Sequence, residues 1–190
     1  MMTAISLNLE PLAQELTHEQ FYELCMANKD LAMERSPQGE LIIMPPIGGN
    51  SGRKEARYIF KLAAWNEQTG LGEVFSSSTV FKLPGGGDRS PDAAWIKQER
   101  WNALSLEEQD RFPPICPDFV IELRSKSDRL QPLQAKMLEY LDSGLRLGWL
   151  IDPKNQMVEI YRAGKEVEVL AFPVTLSGED VLPGFTLEIQ

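Results

Sequence analysis

The stretch from Asp118 to Ile151 limits the fold of this chain more than any other part. Asp118 to Leu123 is a strongly apolar strand, and a helix follows from about Leu130 to Ser143. Gly144 stops that helix, and Gly148 to Ile151 forms another apolar strand. Before it comes a meander of short strands, Glu73 to Phe75, Val80 to Leu83 and Ala93 to Ile96. After it come Met157 to Tyr161 and Val167 to Leu170. The order helix, meander, strand, helix, strand predicts a central mixed β-sheet flanked by helices, in a single α/β domain. With 190 residues, 43% of them hydrophobic and 25% charged, the chain has enough apolar surface for such a core. That balance excludes disordered and collagen-like chains. The core is expected over about 17–190, with 1–16 as an N-terminal lead.

Local signals place the remaining elements. Thr17 and Gln20 form a capping box that opens a helix through about Asn28. Met33 to Arg35 and Glu40 to Met44 flank Ser36-Pro37-Gln38-Gly39 and read as a hairpin. A Pro- and Gly-rich loop, Pro45 to Asn50, leads into a long helix from near Ser51 to Thr69-Gly70. Its buried face is expected to carry Ala56, Ile59, Phe60, Ala63 and Ala64. A further capping box, Ser105 with Glu108, starts a brief surface helix. Gly85-Gly86-Gly87 reads as a hairpin turn, and no internal repeat is present.

Several function classes drop out. The longest apolar runs are far too short to cross a bilayer. Met1 to Ile5 lack the basic stretch and apolar block of a secretory signal, so a cytoplasmic location is expected. Cys25 and Cys116 are too few for a disulfide framework or a zinc cage and read as buried thiols. Nineteen Lys and Arg against 28 Asp and Glu leave a net charge of −9, which argues against broad, sequence-independent coating of nucleic acid. A local basic groove, or a cation held between carboxylates, remains compatible with it. The sole histidine, His18, sits at a helix start, unsuited to a catalytic triad, and no phosphate-cradling Walker loop appears.

The chemistry lies in acidic residues where core strands should be apolar. Glu122 interrupts Phe119-Val120-Ile121-Glu122-Leu123, and Asp92 stands at the mouth of Ala93-Ala94-Trp95-Ile96. A buried carboxylate needs a compensating partner. Two of them meeting at strand ends suit a divalent cation, which prefers oxygen ligands; each bonding a nearby amide or basic side chain is the plainer account. Lys136 falls at the edge of the helical stripe Leu133, Met137, Tyr140 and Leu141. It either snorkels to water or turns over the end of the Glu122 strand. There its ammonium would orient or deprotonate a water and stabilise developing phosphorane charge. Arg124 shares a strand face with Glu122 and suits either phosphate or a salt pair with that glutamate. Arg53, Arg57 and Lys61, with Lys54 close by, form a basic stripe on the long helix: a phosphate-contacting surface or a solvated face. Glu55, on another edge of that helix, offers an accessory carboxylate or is simply exposed. Trp65, Trp95, Trp101 and Trp149 read as core or interface anchors.

Three blocks in order resemble one family. They are Ser90-Pro91-Asp92-Ala93-Ala94-Trp95, Pro117 through Ser125 with its Glu122, and Lys136-Met137-Leu138-Glu139-Tyr140 through Gly148-Trp149-Leu150-Ile151-Asp152-Pro153. Together they resemble the Uma2 family (DUF820), from about Thr17 to the end. The resemblance implies a restriction-endonuclease-like fold of the PD-(D/E)XK superfamily and Mg²⁺-dependent hydrolysis of phosphodiester bonds, with Mn²⁺ as a substitute. It makes Asp92 the metal-binding aspartate, Glu122 the second acidic position and the Leu123 carbonyl an additional ligand. The superfamily's lysine position holds Arg124 here, a departure, and Lys136 on the next helix takes the lysine's place. The implied partner is nucleic acid, DNA first, acted on by a homodimer. The alternatives are a nuclease fold kept as a binding or assembly module with little activity, and a metal-free hydrolase using the carboxylates as an acid–base pair.

Overall fold

The computed structural model describes residues 5–7 by their backbone and residues 16–190 in full. The expectation of no secretory signal falls on residues 1–4 and lies outside the described residues. The lead 1–16 also lies mostly outside them, except for β1 (Ile5–Leu7), which pairs antiparallel with β3 and so extends a sheet. After it come α1 (His18–Ala27), β2 (Ala32–Arg35), β3 (Leu41–Met44) and α2 (Gly49–Thr69). The stretch expected as a meander holds β4 (Gly72–Ser76), β5 (Phe81–Lys82), β6 (Asp88–Arg89) and β7 (Ala93–Lys97), but β4 pairs with β7 in one sheet and β5 with β6 in another. Two short helices, α3 (Gln98–Asn102) and α4 (Leu106–Asp110), lead to β8 (Phe119–Leu123), α5 (Leu130–Asp142), β9 (Leu147–Asp152), β10 (Met157–Arg162) and β11 (Glu168–Ala171). Two strands end the chain, β12 (Val174–Ser177) and β13 (Thr186–Ile189). Both expected capping boxes form, at Thr17 and at Ser105. No helix among the described residues is long and apolar enough to cross a membrane.

The large sheet has the order β11-β10-β9-β8-β7-β4. All its neighbours are antiparallel except β8 and β9, which run parallel from Phe119↔Leu147 to Leu123↔Ile151. That one parallel pair needs a crossover, and α5 supplies it. The sheet is therefore mixed and flanked by helices, as expected. A smaller sheet, β1-β3-β2-β6-β5, contains the predicted 33–44 hairpin and the glycine turn between β5 and β6.

Alternation divides the core in two. Trp95, Phe119, Ile121 and Trp149 face α2 and the β12–β13 ribbon, where Trp149 stacks on Phe185 with ring centroids 6.0 Å apart. Ala94, Ile96, Val120 and Leu150 face α5 and pack on Met137 and Tyr140. The expected buried face of α2 needs correcting. Tyr58 and Leu62 are buried, with Ile59 and Trp65 packed beside them, while Ala56 is exposed and Phe60 is 66% exposed. Polar anchors set that rotation: Asn66 Oδ1 accepts from Trp95 Nε1 at 2.8 Å, Asn66 Nδ2 donates to the Gly72 carbonyl, and Trp65 Nε1 donates to the Pro183 carbonyl. Cys25 and Cys116 are buried free thiols, and burial pushes them up to about 11 and about 12.

Candidate active site

The β7–β8 register sets Ala93 against Ile121, which brings Asp92, just before β7, level with Glu122. The Leu123 amide donates to Asp92 Oδ2 at 2.5 Å and fixes that carboxyl beside the strand end. Glu122 shares the β8 face of Val120, so it points toward α5. It is 3% exposed. Its Oε1 accepts from Lys136 Nζ at 2.8 Å and from the Tyr140 hydroxyl at 3.0 Å. These donors lie one helical turn apart on α5, so a single helix face holds one carboxylate oxygen twice. Asp92, Glu122 and Lys136 thus meet at one place, and Lys136 turns inward instead of reaching water.

Lys136, 7% exposed, has two further partners. Its ammonium contacts Glu34 Oε1 at 2.7 Å and the Ser90 carbonyl at 3.0 Å. Glu34 lies on β2 and is 3% exposed. Its Oε1 also accepts from the Ser90 amide at 2.9 Å, and its Oε2 pairs with Arg89 Nη1 at 3.0 Å. Arg89 also takes Glu139 of α5 bidentately, at 2.7 Å for each bond. A buried set of carboxylates and cations therefore ties the small sheet, the Asp92 loop, β8 and α5 together. Nothing in the sequence reading pointed to Glu34 or Arg89. One hint was present: Glu34 sits in a strand whose hairpin partner, Leu41–Met44, is wholly apolar.

The charges follow from this packing. Burial raises the Asp92 carboxyl well above the carboxylate range, and the neighbouring Glu122 charge adds to it. Burial also leaves Glu122 raised, although Lys136 pulls it down. At Glu34 burial acts upward too, but Lys136 and Arg89 outweigh it and hold that carboxyl below its ordinary value. Burial alone would lower Lys136; Glu122 and Glu34 reverse this, so the ammonium is held more tightly than a free lysine. An ammonium has three donors, and here all three are engaged. Held by two carboxylates and a carbonyl, the Lys136 ammonium stands as a cation and hydrogen-bond donor.

The other residues singled out fall at different places. Arg124 is 9% exposed and pairs with Asp152 at 2.7 Å, not with Glu122 as one reading had it. Its Nε donates to the Asp128 carbonyl. Arg53 and Arg57 are exposed on α2, and Arg53 donates to Asn50 of its own first turn. Glu55 is half-buried, accepts from the Ser77 hydroxyl, and lies near enough to raise Asp92. His18 contacts the buried Asp88, which also takes Arg35, away from these groups.

The donor set suits a hard divalent cation. No protein donor among the described residues occupies Asp92 Oδ1 or Glu122 Oε2, and the Glu122 charge opposes ionisation of Asp92. No group of three or more His, Cys, Asp or Glu side chains among the described residues forms a metal cage. Paired carboxylates are the oxygen ligands that an ion such as Mg²⁺ takes one or two at a time, keeping several waters.

Comparison with known proteins agrees with this architecture. A crystal structure from Anabaena variabilis, described as a putative nuclease belonging to DUF820, superposes with a TM-score of 0.71 at 22% identity, over 83% of this chain and 87% of that one. No curated protein matches the chain. The profile of the Uma2 family, described as "Putative restriction endonuclease", matches residues 18–190, from the first residue of α1 through β13. A match of that extent places the chain in the Uma2 family.

Proposed function

We propose that the protein is a metal-dependent nuclease of the PD-(D/E)XK type, hydrolysing phosphodiester bonds of nucleic acid. The observation that carries this reading is the convergence of Asp92, Glu122 and Lys136, with one oxygen of each carboxylate left without a protein donor among the described residues. Asp92 Oδ1, Glu122 Oε2 and the Leu123 carbonyl would hold Mg²⁺ or Mn²⁺, which when bound polarises the phosphodiester and acidifies a water. Lys136 and Tyr140 orient Glu122 by gripping its other oxygen. The Lys136 cation offsets the carboxylate charge and supports the negative charge of the transition state. Glu55 stands close enough to serve as an accessory carboxylate.

The test is cleavage of DNA and RNA with Mg²⁺ or Mn²⁺ by wild type and Asp92→Asn. The amide still accepts from Leu123, so circular dichroism should show an unchanged fold, while cleavage falls roughly a hundredfold or more. Equal cleavage by the variant would reject the assignment.

A second reading, a fold retained for binding with little activity, is favoured by two observations. Arg124 occupies the superfamily's lysine position and is bound to Asp152, and the Lys136 donors are fully engaged. Retention of nucleic acid by wild type without turnover under any divalent ion would select it.

A further inference from the structure

Beside the site lies an open cleft of about 310 Å³ whose lining includes Asn50, Lys54, Leu123, Arg124, Lys126 and Lys154. No Asp or Glu is among its lining residues, in a protein whose net charge is −9. Random scatter of 28 acidic and 19 basic residues would favour acidic walls, and the opposite is found. Arg124 is nine-tenths buried, held by Asp152 and by the Asp128 carbonyl, so it is a fixed part of the wall. The same Asp152 accepts from the Lys154 and Asn155 amides and shapes the turn that carries Lys154. Lys54, Lys126 and Lys154 form no ion pair among the described residues; the lysines that do are Lys97 and Lys136. Leu123 belongs both to this cleft and to the carboxylate site, since its amide holds Asp92.

We propose that this cleft is the track for the sugar–phosphate backbone next to the reacting phosphate, with Lys54, Lys126 and Lys154 each neutralising one phosphate of a bound strand. The proposal rests on the nuclease reading and assigns the strand's path to these lysines instead of the Arg53–Arg57 face of α2. Three flexible ammoniums without partners are the chemistry of backbone contact, which supplies affinity without reading bases. An otherwise acidic molecule draws nucleic acid to the place where cations gather without carboxylates, as they do along this cleft.

The experiment measures binding of short fluorescent DNA and RNA oligonucleotides, single-stranded and duplex, by anisotropy in EDTA over a range of salt. The proteins are wild type, the triple variant Lys54→Ala/Lys126→Ala/Lys154→Ala and the control Arg53→Ala/Arg57→Ala. The triple variant should bind roughly tenfold or more weakly, and its slope of log affinity against log salt should shrink by about 2–3. The control should match wild type. An unchanged slope in the triple variant, equal loss in the control, or no binding by folded wild type overturns the proposal. Adding Mg²⁺ separates it from the reading beneath it. Lysine-dependent binding without cleavage leaves the track standing and removes the nuclease. Cleavage whose KM is the same in the triple variant removes the track and leaves the nuclease.

Discussion

Lys136 and Glu34 compensate each other's burial, together with Glu122 and Arg89, and that makes both costly to remove one at a time. Glu34→Ala would leave Lys136 and Arg89 short of a carboxylate inside the protein, and Lys136→Met would leave Glu122 without its cation and Glu34 with Arg89 alone. Breaking a buried ion pair from one side costs about 3–5 kcal/mol. Each single variant should lose about that much in urea unfolding, and the double variant less than the sum because the two losses share one interaction. Strict additivity would show that the pair is not coupled. The sequence made this cluster half legible. Glu122 stood out in an apolar strand and Lys136 lay at the edge of an apolar stripe, whereas Glu34 reads as an ordinary hairpin charge. Its importance comes from a lysine on a distant helix, and spacing along the chain carries no trace of that contact.

Among the elements, α5 sets the geometry of the site because it carries both groups that hold Glu122. It packs on β9 at Gly148, where the side chain of its Met137 fills the space a Cβ would take. A Cβ there would stand 2.5 Å from Met137 Cε and 2.8 Å from Leu145 Cδ2. Gly148→Ala should turn the ends of Met137 and Leu145 aside, cost roughly 1–3 kcal/mol in urea unfolding, and leave Lys136 and Tyr140 on Glu122. A variant as stable as wild type would show that the helix has slack. The α5 stripe was readable because its apolar residues keep a clean period. The face of α2 was not, since Phe60 looks like a core residue by type, while the polar anchors at Asn66 and Trp65 that turn it outward depend on partners in β4, β7 and the segment before β13. The β12 and β13 strands alternate buried and exposed positions over four residues each, too short a run to stand out against a loop.

Across the whole molecule, two sheets are joined through charge as well as apolar contact, since Glu34 of the small sheet meets α5 and the Asp92 loop of the large one. The Glu34 carboxyl lies below its ordinary value of 4.5. The stability it contributes is therefore complete above that value and lost as pH falls through its folded-state value. Glu122, raised by burial, works in the opposite sense, so the informative comparison is wild type against Glu34→Gln. The stability difference between them, followed by denaturant titration, should narrow as the solution is acidified below about pH 4.5. A constant gap would mean that Glu34 contributes by shape and not by charge. The dispersal of these groups also has a consequence for biosynthesis. A nascent polypeptide that has emerged only as far as Asp110 carries Glu34, Arg89 and Asp92 but neither the strand nor the helix that completes their surroundings. The buried cluster of carboxylates and cations therefore cannot close until the ribosome has released the segment through Tyr140.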